Sequence, residues 1–403
     1  MKNVYAIVTL LFCFTISAQN IAIRGFLKDA TTNEPIIAAS IGVRNSALGT
    51  ISNEEGIFQM TVSQSAVIVM SCLGYKSKII PVSEFKDDIK TIALEQSEEV
   101  LEEVMVTKIP LTKVMEDIIT ASKARFNKPI ILHTYYREFV KVDNKYKKFS
   151  DALLDYHASG DTKKTKADLI VKQNRSFSLT STDESEEDDH ISPTVNVQRG
   201  IFNSYSFEYI EKNVLRDKNV ENYEFTLKSR KSAEGRDMYA IIIEPKKEVE
   251  KPLFEGTVIY DPETKLIYEF DLHYAASHKS FATTINFLGL HASMLDTKVK
   301  AVYKMINNNY VLSHNNRFAK YRTWTKKYNQ LIESRSDLIV TNFEKDDLSY
   351  NKKEVYKKKY LYDKPTSYSG KYWQKNNAIV LTAEEERVIT SLEKDAVAMP
   401  KAE

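Results

Sequence analysis

The chain has 403 residues, enough for two or three domains at ~100–200 residues each. Its 57 basic and 55 acidic residues leave a net charge of +2, without the basic excess that marks nucleic-acid binding, so no nucleic-acid partner is expected. Hydrophobic residues make up 42%, and 23 Tyr and 18 Phe stand against 11 Gly, which excludes collagen-like and low-complexity chains and favours sheet.

Lys2 gives a short positive start, and Val4 to Ile16 is an apolar run too short to span a bilayer comfortably. Ser17-Ala18-Gln19 follows with small residues, the layout of a signal peptide over residues 1–18. Bulky Phe12 before Cys13 argues against a lipoprotein. Removal of the leader would leave Cys72 as the remaining cysteine. In VIVMSCLGY it reads as a small core residue of a buried strand rather than a reactive thiol. No later run of 18 apolar residues follows, so no transmembrane helix is expected.

Residues 20–95 read as short strands between turns. In IAIRGFLKD, Ile21, Ile23, Gly25 and Leu27 share one face and Arg24 and Lys28 the other, the period of a half-buried strand. Asp29 to Pro35 is dense in turn formers, AASIGVRN alternates again, and Ala66 to Met70 is a continuous apolar run. Strands at this spacing predict a small all-β sandwich.

The motifs in this stretch carry a resemblance. Arg24-Gly25 with Asp29, Glu34-Pro35-Ile36-Ile37-Ala38-Ala39-Ser40-Ile41, the run Gly49 to Phe58, Ser71 to Tyr75 and Leu101 to Val106 occur in the order found in the carboxypeptidase regulatory-like domain. That domain also precedes TonB-dependent receptors in Bacteroidetes. The resemblance implies a seven-stranded prealbumin-like or Ig-like sandwich, closed by the 101–106 strand, with Gly25, Pro35, Gly49, Gly56, Phe58, Gly74 and Tyr75 as its structural motif. Gly49, Gly56 and Gly74 suit positive φ or close backbone approach, and Tyr75 can bury its ring while its hydroxyl stays wet. The chain departs from the pattern at Ala38, often Gly, and at Asn53, often Asp. The resemblance implies no peptidase activity, since zinc ligands belong to a separate catalytic domain. The roughly 300 residues that follow are too few for a 22-stranded receptor barrel.

Residues 96–128 are expected to hold the closing strand and a linker helix. Leu111, Val114, Met115, Ile118, Ile119 and Ser122 recur at helical spacing after Pro110. From residue 129 to 345 strands dominate, with hairpin turns expected at Asp143-Asn144, Asp261 to Lys265 and Asn307 to Asn309. The stretch from Tyr223 to Arg322 reads as an antiparallel meander, and GTVIYDPETKLIYEFD is similar to the strand pairs of LolA/LolB-like half-barrels. The fold class expected is therefore mainly β (α+β): the sandwich, the linker helix, and a large curved antiparallel sheet, open as a half-barrel in one version. In the 346–403 tail, Thr382 and Glu385 form a capping box for a short C-terminal helix. Signal peptide, sandwich, helix, β-rich body and tail together resemble envelope proteins of Flavobacteria and their relatives.

Chemistry is thin. There is no G-x-S-x-G, H-E-x-x-H, phosphate-binding glycine loop or EF-hand pattern, and the acidic run 182–194 reads as a loop. Asp271, His273 and His278 are neighbours in sequence, yet on one strand His273 and His278 would face opposite ways. No catalytic residue, cofactor or metal ligand is assigned. Tyr136, Arg137 and Trp373 are the candidates for a partner surface. The competing readings are a cross-strand ion pair at Arg137 and a core anchor at Trp373. The expected function is a non-catalytic, exported binding or docking protein in the periplasm or at the periplasmic face of the outer membrane, with an envelope protein, glycan or lipid as partner. The alternatives are a lipid or lipoprotein carrier and a glycan hydrolase with two dispersed carboxylates ~5–10 Å apart.

Overall fold

The computed structural model describes residues 20–85, 89–97, 108–126, 129–160, 165–178, 197–232, 235–345, 348–367 and 379–398. The expected leader, the 101–106 strand, the acidic run 182–194 and Trp373 lie outside these residues. The chain divides into two compact units: Met1–Arg44 with Thr50–Gln96 and Asn376–Val380, and Asn45–Gly49 with Ser97–Lys375 and Leu381–Glu403.

The first unit is built on seven strands: β1 (Asn20–Asp29), β2 (Ser40–Val43), β3 (Gly49–Ile51), β4 (Ile57–Ser63), β5 (Val67–Ser71), β6 (Lys78–Pro81) and β7 (Lys90–Leu94). They form a sheet of order β4-β1-β7, with β1 and β7 parallel, and a second of order β3-β2-β5-β6. The period-two reading of β1 holds: Ile23, Gly25 and Leu27 are buried while Ala22 and Arg24 are exposed. Gly25 is required by packing, because a Cβ there would lie 2.4 Å from the Phe58 ring. Gly56 has φ +73 and stands against the Leu27 carbonyl, and Gly74 has φ +84. Gly49 opens β3 and is outside the left-handed region. Ala38, where the related pattern often carries Gly, sits at φ +53 and so carries a conformational cost that glycine avoids. Cys72 lies just past β5, which ends at Ser71, and is half-buried rather than a core residue of the strand.

Asp29 ties the edge of this unit together. Its Oδ1 accepts from Thr31 N (2.7 Å) and Thr32 N (2.9 Å), and its Oδ2 accepts from Tyr75 Oη (3.0 Å) and Gln96 Nε2 (2.6 Å). The Tyr75 hydroxyl is thus held by a carboxylate rather than left in water. These donors, led by the Thr32 backbone, hold the Asp29 carboxyl well below the ordinary range, while burial pushes Tyr75 up to about 12. A depressed carboxylate stabilises the fold above its unfolded value, near 3.8, and that contribution is lost as pH falls through the folded value. The Asp29→Asn variant, which puts an amide NH2 where Oδ2 now accepts, is expected to melt lower than wild type at pH 7. The gap should narrow below pH ~4, as thermal scans at several pH values would show.

The second unit is organised by an eleven-stranded antiparallel sheet. Its strands are β8 (Ile130–Val142), β9 (Lys145–Gly160), β10 (Thr165–Ser178), β11 (Tyr223–Lys231), β12 (Asp237–Pro245), β13 (Phe254–Tyr260), β14 (Ile267–Tyr274), β15 (Thr284–Phe287), β16 (Leu290–Ile306), β17 (Asn309–Trp324) and β18 (Asn329–Glu344). The order is β10-β9-β8-β18-β17-β16-β14-β13-β12-β11, an open path, with β15 pairing β16 beside it. The meander from β11 to β18 therefore returns to pair its last strand with β8. Asp143-Asn144 and Asn307-Asn308 each hold two left-handed residues, the two-residue hairpin geometry that Asn and Asp tolerate. At the β13–β14 turn, Asp261 Oδ1 accepts from Glu263 N and Thr264 N, and Lys265 has φ +57.

One face of this sheet is covered by helices. Helix α1 (Leu111–Arg125) follows Pro110 and buries Met115, Ile118, Ile119 and Ser122 in the main core, with Leu111 and Val114 packed at its margin. Each large apolar side chain removed from water there stabilises by roughly 1.5–3 kcal/mol. Ser122 is part of the stripe because its Oγ accepts from Ile267 N at 2.9 Å. The β10–β11 connection adds α2 (Arg199–Ser206) and a short helical run, Glu208–Ile210, which passes into a π-turn, Glu211–Leu215. Buried tyrosines brace this layer against the sheet. Tyr156 donates to the Val197 carbonyl and Tyr303 to Ser204, while Tyr205 accepts from Leu312 N; Tyr310 donates to Ile267 within the sheet. The tyrosine richness of the chain thus supplies large apolar rings with one polar handle each.

Candidate functional site

A cavity of about 290 Å³ lies between the sheet and the helical layer, lined by Tyr209, Asn213, Phe254, Tyr274, Met294, Thr297, Val299, Arg317, Phe318, Ala319 and Ser334. The volume is just below the ~300–1,000 Å³ typical of small-molecule sites. The strand register explains the wall. Thr297 stands opposite Ala319, and Ala319 opposite Ser334, so β16, β17 and β18 present them on one face.

The aromatic side is a chain of edge contacts. Tyr209 meets Phe254 with ring centres 5.6 Å apart, and Phe254 meets Tyr274 at 4.8 Å. Asn213 Nδ2 donates to the Tyr209 carbonyl at 2.8 Å and fixes the π-turn beneath that ring. Thr297 Oγ1 donates to the Phe318 carbonyl at 3.1 Å, so the 3.0 Å contact between Thr297 Oγ1 and Tyr209 Oη is made with the tyrosine as donor. Burial pushes the Tyr209 hydroxyl up to about 12, which keeps it a neutral donor near neutrality. Across the cavity Ser334 is 2% exposed and its hydroxyl finds no hydrogen-bond partner among the described residues. A buried hydroxyl without a partner costs ~1–3 kcal/mol, which a bound polar atom would recover. With the cation of Arg317 at the same wall, the cavity suits a small molecule with an apolar, flat part and an anionic or hydroxyl-bearing end.

Tyr136 and Arg137 are each 2% exposed, so they form no partner surface. The reason is that β8 is an inner strand, covered on both faces. Tyr136 belongs to the main core and donates to Glu138 Oε2 at 2.6 Å. Arg137 sits on the opposite face in a belt of directly opposed residues: Asp271, Lys300, Asn316, Asp337, Arg137, Asp151 and Arg175. Arg137 Nε bonds Asp337 Oδ2 at 2.8 Å, and its Nη1 reaches Glu385 Oε2 at 3.4 Å. Arg175 grips both oxygens of Asp151 (2.9 and 2.6 Å), and Asn316 donates to Asp337 Oδ1 at 2.6 Å. Glu385 comes from the capping box of α3 (Ala383–Ala398), where Thr382 and Glu385 bond each other reciprocally, and it also pairs with Arg335. Burial pushes the Asp337 carboxyl up, but the charges of Arg137 and Arg335 outweigh that and hold it below its usual range. The belt is structural: the guanidiniums of Arg137, Arg175 and Arg335 are matched against the carboxylates of Asp151, Asp337 and Glu385.

The imidazoles named from sequence do not converge. His273 lies at the end of β14 beside Glu255 and Asp271, whereas His278 is the buried residue of a 3-10 turn, Ala276–Phe281, bonded to Ser277 and to the Lys246 carbonyl. His278 is thus not on the strand that carries His273. Sequence reading did not find the cavity, whose walls come from segments spread over more than a hundred residues, each unremarkable alone.

Residues 23–106 match a family described as the CarboxypepD_reg-like domain. The TonB-dependent receptor SusC of Bacteroides thetaiotaomicron is 37% identical over 89 residues, which is 22% of this chain and 8% of that receptor's length. Three solved structures resemble the chain at low scores. Lipovitellin matches 56% of this chain and 26% of its own at 12% identity and TM-score 0.24. A DUF1329 family protein from Desulfovibrio piger matches 57% and 92% at 11% identity and TM-score 0.24. A LolA superfamily protein from Nitrosomonas europaea matches 60% and 97% at 9% identity and TM-score 0.21. Scores at this level carry no functional weight. The seven-stranded unit, its ordered motifs and the family match agree: residues 23–106 are a carboxypeptidase regulatory-like domain.

Proposed function

We propose that the chain is an exported, non-catalytic binding protein of the cell envelope, and that its β-rich unit holds a small amphipathic ligand in the cavity behind Tyr209. The observation that carries the ligand reading is the buried, unpartnered hydroxyl of Ser334 at the wall shared with Arg317. The envelope reading is supported by the leader-like start of the sequence and by the domain shared with SusC. Among the described residues the cavity lining includes no carboxylate, which favours binding over the two-carboxylate chemistry of a glycan hydrolase.

The test is a titration with an anionic aromatic probe such as anilinonaphthalene sulfonate. Wild type is expected to bind it saturably with a stoichiometry of one. The Ala319→Phe variant, which fills the cavity, is expected to lose at least about tenfold in affinity at unchanged unfolding temperature, a difference of ~1.4 kcal/mol. Equal binding by this variant would move the site elsewhere, and the absence of any saturable ligand would end the binding reading.

A further inference from the structure

Leu288 is 92% exposed and Ile285 is 70% exposed, both on the β15–β16 hairpin. Single exposed apolar residues are common, but Leu288 is unusual in backbone as well. It forms a two-residue turn with Gly289, and the two have φ +47 and +83. That turn favours Asn, Asp or Gly at its first position, and a bulky side chain there costs conformational energy. The chain therefore holds a leucine in water, at the apex of a hairpin, in a conformation leucine disfavours.

The surroundings add charge of one sign. His291 pairs with Trp324, so the register brings the β17–β18 turn, with Lys326 and Lys327, level with the hairpin apex. His291 and Trp324 stack at 5.3 Å and form a firm base. Arg322, Lys326 and Lys327 stand near the apex with no acid from Tyr321 to Ile332, whereas Lys279 and Lys320 farther along are paired with Asp296 and Glu333. This local excess occurs in a chain whose overall charge is nearly balanced.

We propose that this end of the sheet docks on the surface of an anionic lipid bilayer. Leu288 and Ile285 enter the acyl boundary, Trp324 sits toward the headgroup level, and Lys326 and Lys327 meet the headgroup charge. A narrow apolar apex with a basic collar fits a fluid surface, which closes around a protrusion, better than a protein partner, which would need a matching cleft. This surface is separate from the ligand cavity, and the proposal stands or falls without it.

Co-sedimentation of the full chain with vesicles of phosphatidylglycerol and phosphatidylethanolamine tests it, with wild type and variants sharing the same N-terminus so that the apolar leader contributes equally. Leu288→Asn suits the turn better and should melt at or above the wild-type temperature, yet its partitioning should fall at least about tenfold. Changing Lys326 and Lys327 to Gln should lower binding about fivefold per charge at low salt, and phosphatidylcholine vesicles should bind far less wild type. Leu288→Asn partitioning like wild type, or binding indifferent to lipid charge, would overturn the proposal. So would a lipid-free dimer that Leu288→Asn dissolves, since the apex would then be a protein contact.

Discussion

Replacing Arg137 with Met is expected to destabilise the larger unit by about 3–5 kcal/mol, because it strands buried carboxylates rather than merely deleting a contact. Arg137 is 2% exposed, and its guanidinium serves Asp337 and Glu385 together. Asp337 would keep Asn316 and a 3.9 Å approach from Arg335, too little to offset a charge in that setting. Urea unfolding followed through the sheet is the measurement, analysed as two transitions since the chain forms two units. The double variant R137M with D337L should lose less than R137M alone, because it removes the charge along with its partner. A single-variant loss under about 1 kcal/mol would mean that water reaches the belt and that the pairs are worth no more than surface ones.

Gly256→Ala should be nearly as damaging for a different reason. An added Cβ would lie 1.9 Å from the Asp271 carbonyl oxygen and 3.0 Å from Leu272 Cα, on the neighbouring strand. Those atoms belong to the β13–β14 ladder, where Gly256 faces Leu272, so neither can swing aside as a flexible side chain would. Separating the strands should cost about 3 kcal/mol or more. Gly235→Ala is the control. It also has positive φ, +77, but open space around it, and should cost only ~1–2 kcal/mol. Comparable losses at the two glycines would show that backbone conformation, not the strand contact, governs position 256.

Local patterns carried much of the fold. The alternation of Ile23, Gly25 and Leu27, the stripe from Met115 to Ser122 and the Asn- and Asp-rich turns are each decided within a few residues, so they survive into the structure. Arg137 misleads because its partners are not local. Asp337 stands 200 residues away and Glu385 248. Moreover β8 is buried almost without interruption from Ile130 to Val140, which hides the period-two signal that would have separated its faces. The cavity has the same difficulty, since Tyr209, Phe254, Val299 and Ser334 meet only through sheet order. Leu288 is the opposite case: a bulky residue before Gly at the two-residue turn between β15 and β16 is a signal visible in FLGL itself.

The pairing of β8 with β18 sets the order in which this protein can be made. As the chain emerges N-terminus first, β8, β9 and β10 can zip into a three-stranded ribbon early, but β8 then waits with one bare, largely apolar edge while the meander from β11 to β17 is completed. Loop closure over such a separation is slow, and an unpaired edge is an open template for other chains. The newborn protein is thus most vulnerable to misassociation in the interval before its last strand arrives. A chaperone that shields β8 would act at the step that limits yield.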